Sequence, residues 1–481
     1  MYDVIIIGSG IIGSSVARFL SKYEAKVLVL EKENDVSCGT TKANSGIVHA
    51  GFDAHEGTNK AYFNVRGAKM FKDLSEELEF PYEENGAFVL SFTEEGLSTL
   101  KELKQRGINN GLDEDELEIL DGDEIRKIEP NITKDVKCGL YAKKSGIVSP
   151  YEMCIAMFEN AKANGVEFKF NECVKDVKKE NEKFVVKTDD NTFEAKILIN
   201  AAGLYSDTIN NMLSDEEYHI TPRRGEYVLL DHEFENITNK TLFQLPTKMG
   251  KGILVAKTCH GNILVGPTAK DQEDKEDKST SYFGLKEAWD KGSLTINNLP
   301  RGGIITQFSG LRAHEDKNDF TISWSNDVDN LYNLIGIESP GLASSPAIAA
   351  YVAEEVKKKL NLKENKNYNP HRKAIKRITA MTDEEIKEAL KLDKNYGHII
   401  CRCERVSEAE IREAIRRGAR DLDGVKRRTR AGMGRCQMGF CTPKIMSILA
   451  EELNIDIKDV TKSGHDSKIV LRGIKEWKTL I

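Results

Sequence analysis

The first thirty-one residues read MYDVIIIGSGIIGSSVARFLSKYEAKVLVLE, Met1 to Glu31. Their pattern predicts strand, glycine turn, helix, strand. Asp3 to Ile7 is a short apolar run, Gly8-Ser9-Gly10-Ile11-Ile12-Gly13 opens the helix, and Lys26 to Leu30 leads to Glu31. Gly8 permits the tight turn, Gly10 lets the backbone approach a pyrophosphate, and Gly13 lets helix and strand pack closely. The helix N-terminus offers N–H groups to the anion, and the Glu31 carboxylate can accept from a ribose hydroxyl. An α/β, Rossmann-like unit that binds a dinucleotide is the expectation.

Working outward, CGTTKANSGIVHAGF (Cys38 to Phe52) is full of small and hydroxylated residues and suits a chain threading past a cofactor. ILINAAGLYSD (Ile197 to Asp207) reads as a buried strand ending in small residues. LYNLIGIESPGLASSPAIAAYVAEEV (Leu331 to Val356) reads as strand, glycine turn and long helix. Two insertions, about Phe80 to Lys144 and Glu216 to Asn326, separate these elements. The first holds ENGAFVLSFTEEGLSTLKELKQRG, a strand before an amphipathic helix. The second holds the alternating stretches GEYVLLD, GKGILVAKT and GNILVGPT. Together they predict a mixed sheet over the cofactor. KDQEDKEDK (Lys270 to Lys278) reads as a solvated loop.

A chain of 481 residues exceeds one ordinary core, so two or three domains are expected. With 40% hydrophobic and 31% charged residues it reads as globular, and its apolar runs are too short for a spanning helix. The N-terminus lacks a basic leader and a cleavage site, which places the protein in the cytoplasm. A net charge of -7 gives no general case for nucleic acid.

The nine cysteines are not spread evenly. After Val356 the chain turns polar, with KKKLNLKENKNYNPHRK and Pro370 reading as a linker and Thr382 as an N-cap for MTDEEIKEALKLD. Then come Cys401 and Cys403 in C-x-C, and Cys436 and Cys441 in C-x4-C, with 32 residues between the pairs. Four thiolates in two close pairs suit either zinc or an iron–sulfur cluster, C-x-C being tight for zinc. Ser407 is expected to cap a helix between the pairs, and Thr442-Pro443 to start one after them. Cys38, Cys138, Cys154, Cys173 and Cys259 have no pairing signal and read as small buried hydrophobes.

Over residues 1 to 360 the motifs GSGIIG, NSGIVHAG, NAAG, RRGEY, SGLRAH and GIESPGL, in that order, resemble the FAD-dependent oxidoreductases of the D-amino-acid oxidase superfamily. That group contains glycerol-3-phosphate dehydrogenases and L-2-hydroxyglutarate oxidases. No second GxGxxG is present, unlike the reductases that also bind a nicotinamide. The resemblance implies FAD held by Gly8, Gly10, Ile12, Gly13, Glu31, Thr40, Thr41, Ser45, Gly46, Val174, Ala202, Gly203, Gly336, Gly341 and Leu342. It implies Arg312 against the substrate's anion, Arg224 on a lid strand with Arg223 facing away, and His49 as base for a hydroxyl proton.

From Ile399 to Leu453 the chain resembles the bacterioferritin-associated ferredoxin-like domain, implying a 2Fe-2S cluster on Cys401, Cys403, Cys436 and Cys441. Arg427, Arg428, Arg430 and Arg435 are then expected beside the anionic cluster. The implied domains are FAD-binding (1–79, 145–215, 327–360), substrate (80–144, 216–326), linker (361–396), 2Fe-2S (397–455) and a tail (456–481).

The leading expectation is oxidation of glycerol 3-phosphate to dihydroxyacetone phosphate, with electrons relayed through the cluster to a partner subunit. Self-assembly is compatible with it. RGEY favours L-2-hydroxyglutarate instead. Amine or opine oxidation, and a non-catalytic iron–sulfur transfer partner, complete the alternatives.

Overall fold

The computed structural model describes residues 1–246 and 252–473. Gly250 and Lys251 of the expected strand GKGILVAKT, and the last eight positions of the expected tail, lie outside the described residues. The chain divides into two units: 1–31 with 36–372, and 32–35 with 373–481.

The opening motif folds as its spacing predicts, with a strand Tyr2–Ile7, a helix Ile11–Leu20 and a strand Val27–Leu30. Tyr2–Ile7 pairs in parallel with Val27–Leu30 on one side and Thr192–Asn200 on the other. Glu167–Lys169 and Leu331–Ile335 extend the parallel set outward. The antiparallel strands Asp176–Glu180, Lys183–Lys187 and Thr321–Trp324 complete eight. The run VIII shows no alternation because both faces of this sheet are covered. Val4, Ile6, Val27, Val29, Ile197 and Ile199 join one core with the helices Ile11–Leu20 and Gly341–Leu360. Ile5, Ile7, Leu28, Leu30 and Leu198 join a second core on the other face. Burying each such side chain contributes about 1.5–3 kcal/mol.

A nine-stranded sheet draws its strands from residues 87–142 and 220–315. Its longest pair is antiparallel, Ile220–Leu230 against Ile304–Glu315. The stretch expected as a solvated loop, 270–278, is built in. Asp271 pairs with Arg223, Lys275 with Asp207 and Asp277 with Arg224, because each of these acids and bases meets an opposite charge on the strand Ile220–Leu230 or the helix Ser206–Asn211.

Residues 361–372, expected to begin a linker, are ordered on the first unit. The Asn160 side chain donates to the carbonyls of Asn369, Pro370 and His371, and Arg372 pairs with Glu159 at 2.6 Å. Polar composition reads as linker, but here it reflects backbone satisfied by asparagine.

The second unit has a short antiparallel pair, Ile399–Cys401 with Val406–Ser407, and the helices Glu408–Arg416, Leu422–Thr429 and Thr442–Leu453. Ser407 and Glu410 form a capping box, as do Thr382 and Glu385 at the helix Asp383–Leu392. Val460 joins the unit's core, and Leu422 and Asp423 donate to the carbonyls of Thr461 and Lys462, so 456–473 packs here as well. Among the described residues no helix is long and apolar enough to cross a membrane.

Candidate active site

In the first unit, Gly8 adopts φ +100°, and a Cβ there would lie 2.5 Å from the Ala201 carbonyl. A Cβ on Gly13 would meet the Gly8 carbonyl at 1.9 Å. The turn therefore brings the strand ends Ile7 and Asn200 against the start of the helix with no room for a side chain. Ile11 N–H donates to Thr41 Oγ1 at 2.9 Å, and one Glu31 oxygen accepts from Ser9 N at 2.7 Å and Ser9 Oγ at 2.8 Å. Gly10, by contrast, has only Thr41 Oγ1 near its Cβ position, and Gly39 and Gly203 face open space. Bare backbone around a helix N-terminus, with a carboxylate at the next strand end, fits a pyrophosphate and a ribose. Residues Gly8 to Gly13, Glu31, Thr40, Thr41 and Gly203 thus border one cradle.

The other expected cofactor contacts sit at connected points. Asn44 Nδ2 donates to the Thr40 and Thr41 carbonyls, and its Oδ1 accepts from Gly46 N–H, with Ser45 between them. Ala202 N–H donates to Asn200 Oδ1, while Val174 and Ala202 both flank the second core. Gly336 has φ +70°, and Gly341 and Leu342 begin the long helix 341–360.

Arg312 lies on Ile304–Glu315, half-buried and directly opposite Arg223 in the antiparallel register. Both its Nη atoms lie 3.4 Å from the Thr268 carbonyl, and a Cβ on Gly225 would sit 2.9 Å from Nη2. The same face carries Tyr227, whose ring stacks on Phe308 at 4.8 Å. Burial pushes the Tyr227 hydroxyl up, and the neighbouring Arg312 guanidinium pulls it the other way. This face also approaches the cradle. A Cβ on Gly310 would meet the Ala43 carbonyl at 1.8 Å, and Thr40 Oγ1 donates to the Leu311 carbonyl at 2.7 Å.

Arg224 is not brought together with Arg312. Strand residues alternate sides, so Arg223 shares the Arg312 face, held by Asp271 at 2.6 Å, while Arg224 binds Asp277 and Ser279 on the other. Glu226, the distinctive residue of RGEY, also points away. It is 3% exposed, and its carboxylate accepts from Ser281 N at 2.5 Å and Ser281 Oγ at 3.2 Å, fixing the N-cap of the helix Tyr282–Gly292. It anchors a helix rather than facing the Arg312 side.

His49 follows the strand Ile47–Val48 and is buried, its ring 5.5 Å from that of Phe243. Its carbonyl accepts from Asn64 Nδ2 at 2.6 Å. With Phe52, Asp53, Val89, Phe243, Gln244 and Pro246 it lines a small open cleft.

Sequence reasoning missed a half-buried cluster on the Arg312 face. Glu338 Oε1 meets Lys60 Nζ at 2.9 Å and His314 Nδ1 at 3.1 Å. Burial pushes this carboxyl up, but His314 and Lys60 outweigh it and hold it at about 2. The available signal was His314 two residues after Arg312, hence on the same face.

In the second unit the four clustered cysteines converge two by two, Cys401 with Cys441 and Cys403 with Cys436. The Cys401 thiol is drawn down to about 6, chiefly by its hydrogen bond with Cys441, with Gly432 and Glu404 N–H adding to it. A Cβ on Gly434 would lie 2.4 Å from Cys403 Cβ, so glycine lets this turn close on the thiol. Among the described residues no three His, Cys, Asp or Glu side chains converge on a point fit for a single ion. Thiolates arranged in two pairs suit two irons with two thiolates each.

Three of the four arginines expected beside the cluster are each paired with a carboxylate. Arg427 and Arg428 pair with buried Asp35 at 2.7 and 2.6 Å, and Arg430 pairs with Glu404 at 2.8 Å. Buried guanidiniums require carboxylate partners, a demand that the sequence run hides. Arg435 is exposed. None of the nine cysteines forms a disulfide.

The profile of the FAD dependent oxidoreductase family matches residues 3–355, and that of the BFD-like [2Fe-2S] binding domain matches residues 399–451. A glycerol 3-phosphate dehydrogenase of Caloramator mitchellensis is 45% identical over 98% of both chains. Dithionite-reduced L-alpha-glycerophosphate oxidase of Mycoplasma pneumoniae, with FAD bound, superposes with a TM-score of 0.73 and 31% identity. It covers 77% of this chain and 98% of that one. An L-2-hydroxyglutarate dehydrogenase of Escherichia coli is 34% identical over 56% of this chain and 64% of its own.

Proposed function

Because the chain belongs to the FAD dependent oxidoreductase family and carries a BFD-like [2Fe-2S] binding domain behind it, we propose that it is an FAD-dependent glycerol-3-phosphate dehydrogenase. It oxidises glycerol 3-phosphate to dihydroxyacetone phosphate and passes the electrons through the cluster to a protein acceptor. The carrying observation is the 45% identity to a glycerol 3-phosphate dehydrogenase over 98% of both chains, cysteine module included. The hydroxyglutarate relative spans only 56% of this chain, and Glu226, which suggested that substrate, is tied to Ser281.

Bound FAD supplies the two-electron acceptor and the cluster a one-electron carrier. The residues supply the rest. Arg312 grips the phosphate: its contacts to Thr268 are long for hydrogen bonds, so the fork gains by turning to an anion. Tyr227 steadies that fork from the same face. His49 takes the hydroxyl proton, its ring beside Phe243 on the cleft wall and its backbone pinned by Asn64. Residues Gly8 to Gly13 and Glu31 hold the dinucleotide end of FAD, and Cys401, Cys403, Cys436 and Cys441 hold the cluster. The nine-stranded sheet forms the substrate domain. The compartment is the cytoplasm, where thiols stay reduced and available as ligands.

The test is anaerobic. Glycerol 3-phosphate should bleach the flavin absorbance within a turnover, and L-2-hydroxyglutarate, glycine and L-proline should not. Preferential bleaching by any of the other three would replace the substrate.

A further inference from the structure

The four thiols differ in exposure. Cys401 and Cys441 are buried, whereas Cys403 and Cys436 are partly open, so one edge of the cysteine set faces solvent. Phe440, immediately before Cys441, is 85% exposed. It follows a turn in which Gln437 and Met438 both adopt left-handed backbone, φ 46° and 70°. Consecutive non-glycine residues in that region are uncommon and are retained only where the surroundings impose them. The turn thus holds an aromatic ring out in water, one residue before Cys441 and four after the partly open Cys436.

The charges around it are of one sign. Arg402, Arg405, Arg435 and Lys444 are exposed, and among the described residues Arg402, Arg405 and Lys444 make no hydrogen bond or ion pair. Elsewhere in the unit Arg412, Arg416, Arg417 and Lys468 are paired with acids, Arg412 with Glu408, Glu451 and Glu452 together. No acid occurs from Met433 to Lys444, and Glu404 is engaged by Arg430. The patch is basic on a chain of net charge -7, so its field is local to this edge.

We propose that this face, centred on Phe440 and ringed by Arg402, Arg405 and Lys444, docks an acidic one-electron carrier protein at the Cys403–Cys436 edge. An exposed aromatic within a cationic rim has the composition of a small, transient redox interface, the ring giving contact and the charges steering approach. The proposal rests on the reading that the cysteines hold a 2Fe-2S cluster. Each glycerol 3-phosphate loses two protons and two electrons in becoming dihydroxyacetone phosphate, so two carrier molecules are each reduced by one electron, with no bond made or broken in the carrier.

The experiment immobilises the holoprotein and measures surface plasmon resonance with two probes, the soluble haem domain of an acidic b-type cytochrome and a basic c-type cytochrome. The acidic probe should bind, and its affinity should fall roughly tenfold or more as salt rises from about 20 to about 200 mM, because exposed charges are screened over that range. The basic probe should bind at least tenfold more weakly. Phe440→Ala and the double variant Arg405→Glu/Lys444→Glu should each weaken the acidic probe by roughly fivefold or more. Their iron content, cluster absorbance and flavin bleaching by glycerol 3-phosphate should match the parent. Retained affinity in both variants, or equal binding of the basic probe, overturns the proposal. So does size-exclusion chromatography showing a dimer that Phe440→Ala dissolves, since the face then belongs to a second copy. If one variant loses iron, the other decides. Salt-dependent binding by a protein whose flavin glycerol 3-phosphate fails to bleach would keep the docking face and reject only the substrate.

Discussion

Arg312 and Glu226 belong to neighbouring strands, yet they answer different questions. Arg312 shares its face with Tyr227 and the approach to the cradle, so its guanidinium should carry the substrate's anion. Arg312→Ala should lower kcat/KM by roughly thirtyfold to several-thousandfold, the cost of losing about 2–5 kcal/mol from a charge-assisted fork. Arg312→Lys should recover part of it, and FAD content should stay at the parental level. Steady-state kinetics beside flavin quantitation checks both, and unchanged kcat/KM in a fully loaded variant would move the substrate site elsewhere. Glu226→Gln should do the reverse, lowering stability by about 1–3 kcal/mol through the weakened Ser281 cap while leaving the preference for glycerol 3-phosphate over L-2-hydroxyglutarate untouched. A swing in that preference would return Glu226 to the substrate. RGEY was visible in the sequence but its direction was not. Alternation fixes only relative sides, and the partner that decides, Ser281, lies 55 positions away.

The elements that hold the cofactor were largely legible, because GSGIIG has to do its work within a few residues of chain. A Cβ at Gly13 would lie 1.9 Å from a backbone oxygen that cannot move without dragging the first strand. Gly13→Ala should therefore purify with little FAD, measured as the ratio of flavin to protein absorbance. Near-stoichiometric FAD would mean that the turn yields more easily than its packing implies. The N-caps Thr382 and Ser407 were legible for the same local reason. What was not legible depends on distant partners, as with residues 361–372 on Asn160 and the arginine run on Asp35. For Asp35, burial pushes the carboxyl up, and Arg428 and Arg427 more than reverse this, holding it at about 2. Its folded value lies below the unfolded one near 4, so the stabilisation is complete above about pH 4 and is lost as the pH falls through about 2. Asp35→Asn should cost about 3–5 kcal/mol at neutral pH by breaking the buried pair. The difference in melting temperature between parent and variant should shrink between pH 4 and pH 2, and a constant difference would show that Asp35 titrates normally.

At the level of the whole chain, two electron-handling groups are assigned to two units, each with its own core. Removing the cluster should consequently spare the first half of the reaction. Cys436→Ser should lose its iron and its transfer to protein acceptors while glycerol 3-phosphate still bleaches the flavin, followed by anaerobic absorbance. Simultaneous loss of flavin and iron would show that the first unit needs the second to fold. The pair of cofactors was readable through the family resemblances that the glycine motif and the cysteine pairs carry, whereas spacing alone left zinc open. The membership of residues 32–35 in the second unit was not, since four residues carry no periodicity. That short excursion has a consequence for biosynthesis. Asp35 leaves the ribosome early, but the arginines that neutralise it follow 392 and 393 positions later. At bacterial-type elongation of about 5–20 residues per second, the carboxylate waits on the order of 20 to 80 s for its partners. Through that interval the nascent N-terminus can close its dinucleotide turn, but the second unit stays incomplete until translation has nearly finished. Cluster insertion is thereby deferred to a late step of maturation, after the flavin-binding unit has been made.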